Sequence, residues 1–158
     1  MKRIGRFLTA ALAAALLLPA ACGLSGCRQY AVLSASMVPA IPVGSCVFVH
    51  IAPFEKIEEQ SVITYRLGSG IPVTHRVIAK DVLKQTFVTK GDANEQPDAS
   101  EIPYAQVIGK VSFSIPYLGF ILIFLQSTCG RALLAGAVFA ALVSELFLID
   151  LKRKRGKL

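Results

Sequence analysis

Residues 61–79, SVITYRLGSGIPVTHRVIA, decide the fold class. Two runs rich in β-branched residues stand on either side of Gly68-Ser69-Gly70. Ser61–Leu67 alternates along its length, the period of a half-buried strand, and Pro72–Ala79 reads as another strand. Working outward, Ser45–Ile51 (SCVFVHI) is β-branched and apolar, bounded by Pro42-Val43-Gly44 and Pro53. Thr86–Thr89 (TFVT) and Gln106–Phe113 (QVIGKVSF) complete the set. Short strands at this spacing predict a mainly β fold, a small sheet or barrel, over residues 28–114. No helical period of useful length, repeat or low-complexity tract interrupts them.

The chain has 158 residues, room for one domain and little more. Hydrophobic residues make up 54% and charged residues 17%, with a mean hydropathy of +0.58. That excludes a disordered chain, and the apolar excess over an ordinary soluble domain points to membrane segments. The net charge of +7 is concentrated at the ends. Lys2, Arg3, Arg6, Lys152, Arg153, Lys154, Arg155 and Lys157 account for eight of the 17 basic residues, leaving nine against all 10 acidic ones. A basic groove for phosphates, and with it a nucleic-acid partner, is not expected. Cys22, Cys27, Cys46 and Cys129 form neither a disulfide framework nor a metal-type spacing with His, and read as small buried hydrophobes.

Phe7–Ser25 is almost wholly apolar and about the length needed to cross a bilayer core of ~30 Å. Two readings compete. One is a retained anchor. The other is a cleaved export signal, because Lys2, Arg3 and Arg6, the apolar centre and the small residues at Ala20-Ala21 fit that pattern too. Lipid attachment at Cys22 is disfavoured by Pro19. Ala132–Ile149 is a second apolar run, closed by LKRKRGKL, and such a basic flank marks the cytoplasmic side. The basic start marks the same side, so two crossings place both termini inside and the middle of the chain outside. The expected organisation is a cytoplasmic basic end (1–6), a transmembrane anchor (7–25) and an extracytoplasmic β domain (28–114). An interfacial segment (115–130), a second transmembrane helix (131–149) and a cytoplasmic basic tail (150–158) follow. Ile115–Leu125 is too short to span, and Glu145 is expected to snorkel toward the basic tail or pair there.

The chain has only two histidines, His50 and His75. A serine nucleophile needs a base that is neutral near pH 7, and histidine, with an unperturbed pKa of ~6.5, meets this without tuning. The candidate serines are Ser34 and Ser36 in LSASMVPAIPVGS; the candidate acids are Asp92 and Asp98 in TKGDANEQPD. Linear spacing gives no geometry. Taken alone, Ser34 and Ser36 read first as turn caps before Pro39, Asp92 as a turn residue after Gly91, and His75 as an ordinary strand residue. His50 shares an alternation face with Cys46 and Phe48 and reads as structural or interfacial.

Three segments alter that balance. Ser34-Ala35-Ser36-Met37-Val38-Pro39, then Thr74-His75-Arg76-Val77, then Lys90-Gly91-Asp92-Ala93-Asn94 resemble the type I signal peptidases. The resemblance is to the Ser–His subgroup of endoplasmic-reticulum, archaeal and sporulation-associated bacterial enzymes. It continues through Val107-Ile108-Gly109-Lys110 and Ile115–Gly119 and includes both apolar runs. It implies a small signal-peptidase-like (LexA-like) β catalytic domain flanked by two transmembrane helices. It further implies Ser36 as nucleophile, His75 as general base, and an acid from Asp92 or Asp98, with Asp98 favoured and Asp92 structuring the loop. Ser34, with the Ser36 backbone N–H, would form the oxyanion hole. Exported preproteins and the lipid bilayer are the implied partners, a cell membrane the implied location, and neither metal nor organic cofactor is needed. Ala35, Val38 and Glu59-Gln60-Ser61 depart from the family's usual residues, touching loop shape and substrate detail more than chemistry. An inactive, membrane-anchored β module that binds signal segments or partner proteins is the alternative function.

Overall fold

The computed structural model describes residues 26–68 and 70–155. The expected basic end (1–6) and first anchor (7–25), with Cys22 and the last three residues of the tail, lie outside the described residues. The chain divides into a β unit that runs to Ile123 and a helical unit from Phe124 onward, each taken by itself below.

Seven strands form one antiparallel sheet: β1 (Cys27–Ala31), β2 (Cys46–His50), β3 (Val62–Arg66), β4 (Pro72–Asp81), β5 (Thr86–Lys90), β6 (Ile102–Pro103) and β7 (Val107–Ile115). Their order is β1-β2-β7-β3-β4-β5-β6. β2, β3, β4, β5 and β7 fall on the five runs read as strands. β1 and β6 have no counterpart in that reading. β1 carries Arg28 and Gln29 with no clean alternation, and β6 is only two residues long.

The stretch that decides the fold is the β3–β4 hairpin. Gly70, at φ +78°, lets the turn close through Gly70 N–H to Leu67 O (2.7 Å), and Leu67 N–H donates to Ile71 O (3.3 Å). Pro72 is tolerated because it is the first residue of its strand. The register then sets His75 opposite Ile63 and Arg76 opposite Val62.

Alternation along the strands builds the core. Ile63 and Tyr65 of β3 meet Val77 of β4, Phe87 of β5, Ile102 of β6, and Phe54 and Ile57 from the connection after β2. β2 is buried on both faces: Val47 and Val49 pack with Val32, Met37 and Ile41, while Cys46 and Phe48 pack with Cys27. Strand β7 lies so close to β2 that a Cβ at Gly109 would stand 2.1 Å from the His50 carbonyl oxygen. That contact accounts for the glycine in Val107-Ile108-Gly109-Lys110. Cys27 and Cys46 are buried as expected; Cys129 is exposed on a helix, a correction to its reading as a buried hydrophobe.

Two helices follow the sheet: α1 (Leu118–Gln126) and α2 (Thr128–Arg155). Leu118 and Leu122 pack on Cys27, Cys46 and Phe48, and Gly119 N–H donates to Gly44 O at 2.9 Å. Ser127 separates the helices. Its Oγ donates to Phe124 O (2.6 Å) and accepts from Gly130 N–H (3.0 Å), an N-cap for α2. Among the described residues no single helix is long and apolar enough to cross a membrane. Leu118–Gln126 and Thr128–Ser144 reach that length and composition only as an interrupted pair.

Candidate functional site

Ser34 and Ser36 lie in the turn-rich segment between β1 and β2. Met37, wholly buried among Val32, Ile41, Val47 and Val49, fastens this segment to the core. Ile41 N–H donates to Met37 O at 2.8 Å. With Met37 held inward, Ser36 remains half-buried and Ser34 exposed, their hydroxyl oxygens hydrogen-bonded at 3.1 Å.

Ser36 also touches the loop that follows β5. Ala93 N–H donates to Ser36 O at 2.8 Å. Gly91 makes the approach possible: a Cβ there would lie 2.7 Å from Ser36 O, 2.8 Å from Asn94 Nδ2 and 3.0 Å from Ser36 Cβ. Gly91 directly follows Lys90, which is paired with Arg76, the neighbour of His75. Ser36 therefore stands at the same end of the β4–β5 ladder as His75. No hydrogen bond joins Ser36 to His75 among the described residues.

His75 and Asp98 are brought together, Nδ1 and Oδ2 being 2.6 Å apart. An ionised carboxylate only accepts, so Nδ1 carries the proton and Nε2 holds the lone pair of the neutral ring. Asp98 Oδ2 also accepts from Thr89 Oγ1 (2.6 Å) and Tyr65 Oη (3.0 Å). Thr89 grips Asp98 a second time, since Asp98 N–H donates to Thr89 O at 2.8 Å. The Tyr65 ring meets the imidazole edge-on, and its hydroxyl lies 3.4 Å from His75 Nδ1. Burial pushes the Asp98 carboxyl up, but the hydrogen bonds from Thr89, His75 and Tyr65 and the attraction of His75 outweigh it and hold it below the usual range. Burial, with the negative charge of Asp98, pushes the Tyr65 phenol up to about 12 against the opposing Thr89 hydrogen bond. Tyr65 therefore stays a protonated donor across the physiological range.

Asp92 is placed elsewhere. It binds Arg76 by a two-pronged ion pair, Arg76 Nε to Oδ1 at 2.8 Å and Nη2 to Oδ2 at 2.7 Å, and Arg76 Nη1 also donates to Gln60 O at 2.9 Å. The hydrogen bond to Asp92, more than its charge, raises the Arg76 guanidinium above its ordinary value, against a smaller opposing effect of burial. Asp92 thus ties the Gly91–Asn94 loop to β4 beside His75. His50 bonds Ser112 Oγ through Nδ1 at 2.9 Å, linking β2 to β7.

Tyr65 and Thr89 escaped the sequence reading because both occupy buried positions of well-formed strands, where they pass for core. A signal was present: each places a hydroxyl on a strand that flanks the His75 strand. Two open clefts of about 550 and 500 Å³ lie elsewhere on the β unit, and neither is lined by Ser36, His75 or Asp98. Among the described residues no group of three His, Cys, Asp or Glu is disposed to hold a metal ion.

No family model matches the chain. Individual proteins do. Over 137 residues it is 31% identical to the signal peptidase complex catalytic subunit of Ogataea parapolymorpha, covering 72% of this chain and 77% of that protein. The same subunit of Colletotrichum graminicola is 33% identical over 108 residues (60% of this chain, 62% of that one). The Candida dubliniensis subunit is 32% identical over 109 residues (60% and 63%). The match thus spans slightly under two thirds of the length of the last two.

Proposed function

The chain belongs to the signal peptidase family, and from that premise we propose that it is a membrane-bound serine endopeptidase that removes signal peptides from exported preproteins. Ser36 is the nucleophile, His75 its general base, and Asp98 the acid that orients the imidazole and stabilises its charged form. The hydrogen bond of 2.6 Å between His75 Nδ1 and Asp98 Oδ2, at the end of the ladder where Ser36 meets Gly91, carries this reading. Asp92 serves the loop rather than the imidazole, as its pairing with Arg76 supports.

The chemistry follows from those positions. As Ser36 Oγ attacks the scissile carbonyl carbon, His75 Nε2 takes its proton, and the carbonyl oxygen becomes an oxyanion. The Ser36 backbone N–H and the Ser34 hydroxyl receive that charge. The 3.1 Å contact between the two serine hydroxyls supports that role for Ser34, and one such donor is worth ~3 kcal/mol in the transition state. The imidazolium then gives its proton to the leaving amine. That amine is the new N-terminus of the mature chain, which departs. His75 next takes a proton from water, which hydrolyses the ester on Ser36, and the proton returns to Ser36 Oγ as the signal peptide is released. A histidine base needs no desolvation to be neutral, so a half-open site beside a membrane suits it better than a lysine.

The apolar run Phe7–Ser25 and the run at 131–149, each with its basic cytoplasmic flank, support two anchors with both termini inside and the β unit outside. The preprotein's signal segment would lie in the same bilayer, its cleavage region extended along the sheet. The test compares preprotein processing by the full chain and by Ser36→Ala and His75→Ala in detergent or vesicles. Loss of product in both variants is expected. Processing by Ser36→Ala at the unmodified rate would remove the serine mechanism.

A further inference from the structure

Three donors converge on one oxygen of Asp98, and only one of them is the histidine. Thr89 supplies two of the contacts that fix Asp98: its carbonyl takes the Asp98 N–H at 2.8 Å and its hydroxyl reaches Oδ2 at 2.6 Å. Tyr65 supplies the third donor at 3.0 Å from the strand on the other side of β4. Both side chains are buried, Thr89 at 0% and Tyr65 at 1% exposure, so water cannot replace either hydroxyl without rearrangement. Asp98 itself sits in a loop, on no regular element, and its backbone is held to β5 through Thr89.

We propose that Thr89 and Tyr65 are positioning residues, whose hydroxyls lock Asp98 Oδ2 against His75 Nδ1 and so hold the imidazole in the tautomer that leaves Nε2 as the base. This rests on the Ser36–His75 reading given above. The two hydroxyls do different work. At 2.6 Å the single Thr89 proton is committed to Asp98, so its 3.3 Å approach to Tyr65 is at most a weak shared contact. The Thr89 grip fixes the loop and the rotamer together. Tyr65 closes the remaining side, and its ring, edge-on to the imidazole, limits the swing of His75. A carboxylate short of either donor has freedom to turn its other oxygen toward the ring or toward water, and the Nδ1–H tautomer loses its hold.

The experiment uses the full chain and near-isosteric variants that keep packing: Thr89→Val, Thr89→Ser and Tyr65→Phe, each also on an Asp98→Ala background. Expected are a fall in kcat of roughly tenfold for Thr89→Val, the size of a lost hydrogen bond to a charged group, and less for Tyr65→Phe. KM should stay unchanged in both, and Thr89→Ser should restore kcat. On the Asp98→Ala background both effects should vanish, because the hydroxyls act only through that carboxylate. Equal losses with and without Asp98, a change confined to KM, or unchanged kcat in both hydroxyl variants would overturn the inference. Ser36→Ala run alongside separates the cases. If it is inactive while the hydroxyl variants are normal, the positioning inference alone fails; if it is fully active, the mechanism beneath it fails.

Discussion

The contact between Gly91 and Ser36 gives a perturbation whose size is read directly from the structure. Gly91→Ala puts a Cβ 2.7 Å from Ser36 O and 3.0 Å from Ser36 Cβ, where ordinary contacts begin at 3.4 Å. Ser36 must withdraw by the difference, about 0.7 Å at its carbonyl, or the loop must withdraw by as much. The loop resists on two sides: Asp92 is clamped by Arg76, and Ala93 N–H is bonded to the same Ser36 oxygen. Met37, fully buried, resists on the serine side. The φ of Gly91 lies outside the left-handed region, so the alanine backbone is not itself strained. The stability cost should stay within the ~1–3 kcal/mol of ordinary overpacking. The catalytic cost should be larger, because a reacting group misplaced by about 1 Å loses on the order of 10²-fold in rate. The assay is preprotein cleavage under single-turnover conditions beside a thermal melt of the same preparation. A drop of about tenfold to a hundredfold in the cleavage step with the melt shifted only modestly is expected. Cleavage at the original rate in a folded Gly91→Ala protein would refute the placement of Ser36 as the attacking group.

The two acids should separate cleanly. Asp98→Asn presents an amide to His75 Nδ1 and should cut kcat by on the order of 10²–10⁴, whereas Asp92→Asn, which loosens only the Arg76 clamp, should lower the melting temperature with a much smaller kinetic effect. Asp98 also predicts an acid dependence. Its folded carboxyl titrates below the ordinary 3.8, so its stabilisation is complete above that value and disappears as pH falls through the folded range; Asp98→Asn should show a flatter acid limb in pH-dependent denaturation. Gly109→Ala, with its Cβ 2.1 Å from the His50 carbonyl oxygen, should force β2 and β7 apart and lower the denaturation midpoint more than Gly91→Ala does.

The strands were legible where alternation was long and bounded by turn residues. Ser61–Leu67 and Pro72–Ala79 needed only their β-branched residues and the glycines between them to declare themselves. β1 was not, because Arg28 and Gln29 break the pattern, and β6 is below the length at which any period exists. Its two residues are a strand only because Thr86 and Phe87 of β5 offer partners. Single residues of the site were nameable from Ser36, His75 and the Gly91-Asp92 segment, but not their contacts. Spacing could not say that Asp92 meets Arg76 sixteen residues earlier while Asp98 meets His75. That depends on the register of β4 against β5, which sets Arg76 opposite Lys90 and leads the chain past one side chain and back to the other. Tyr65 and Thr89 were least legible, since a buried hydroxyl on an alternating strand has the same sequence signature as core until its partner is known.

The most direct measurement is covalent trapping of the nucleophile. The full chain is treated with a serine-reactive acyl or phosphonate probe carrying a small residue at the position next to the reactive group, and the modified peptide is located by mass spectrometry. One modified residue is expected, Ser36, with labelling that collapses in His75→Ala and falls in Asp98→Asn. Labelling of Ser36 that is indifferent to His75, or modification of a different residue that tracks preprotein cleavage, contradicts it.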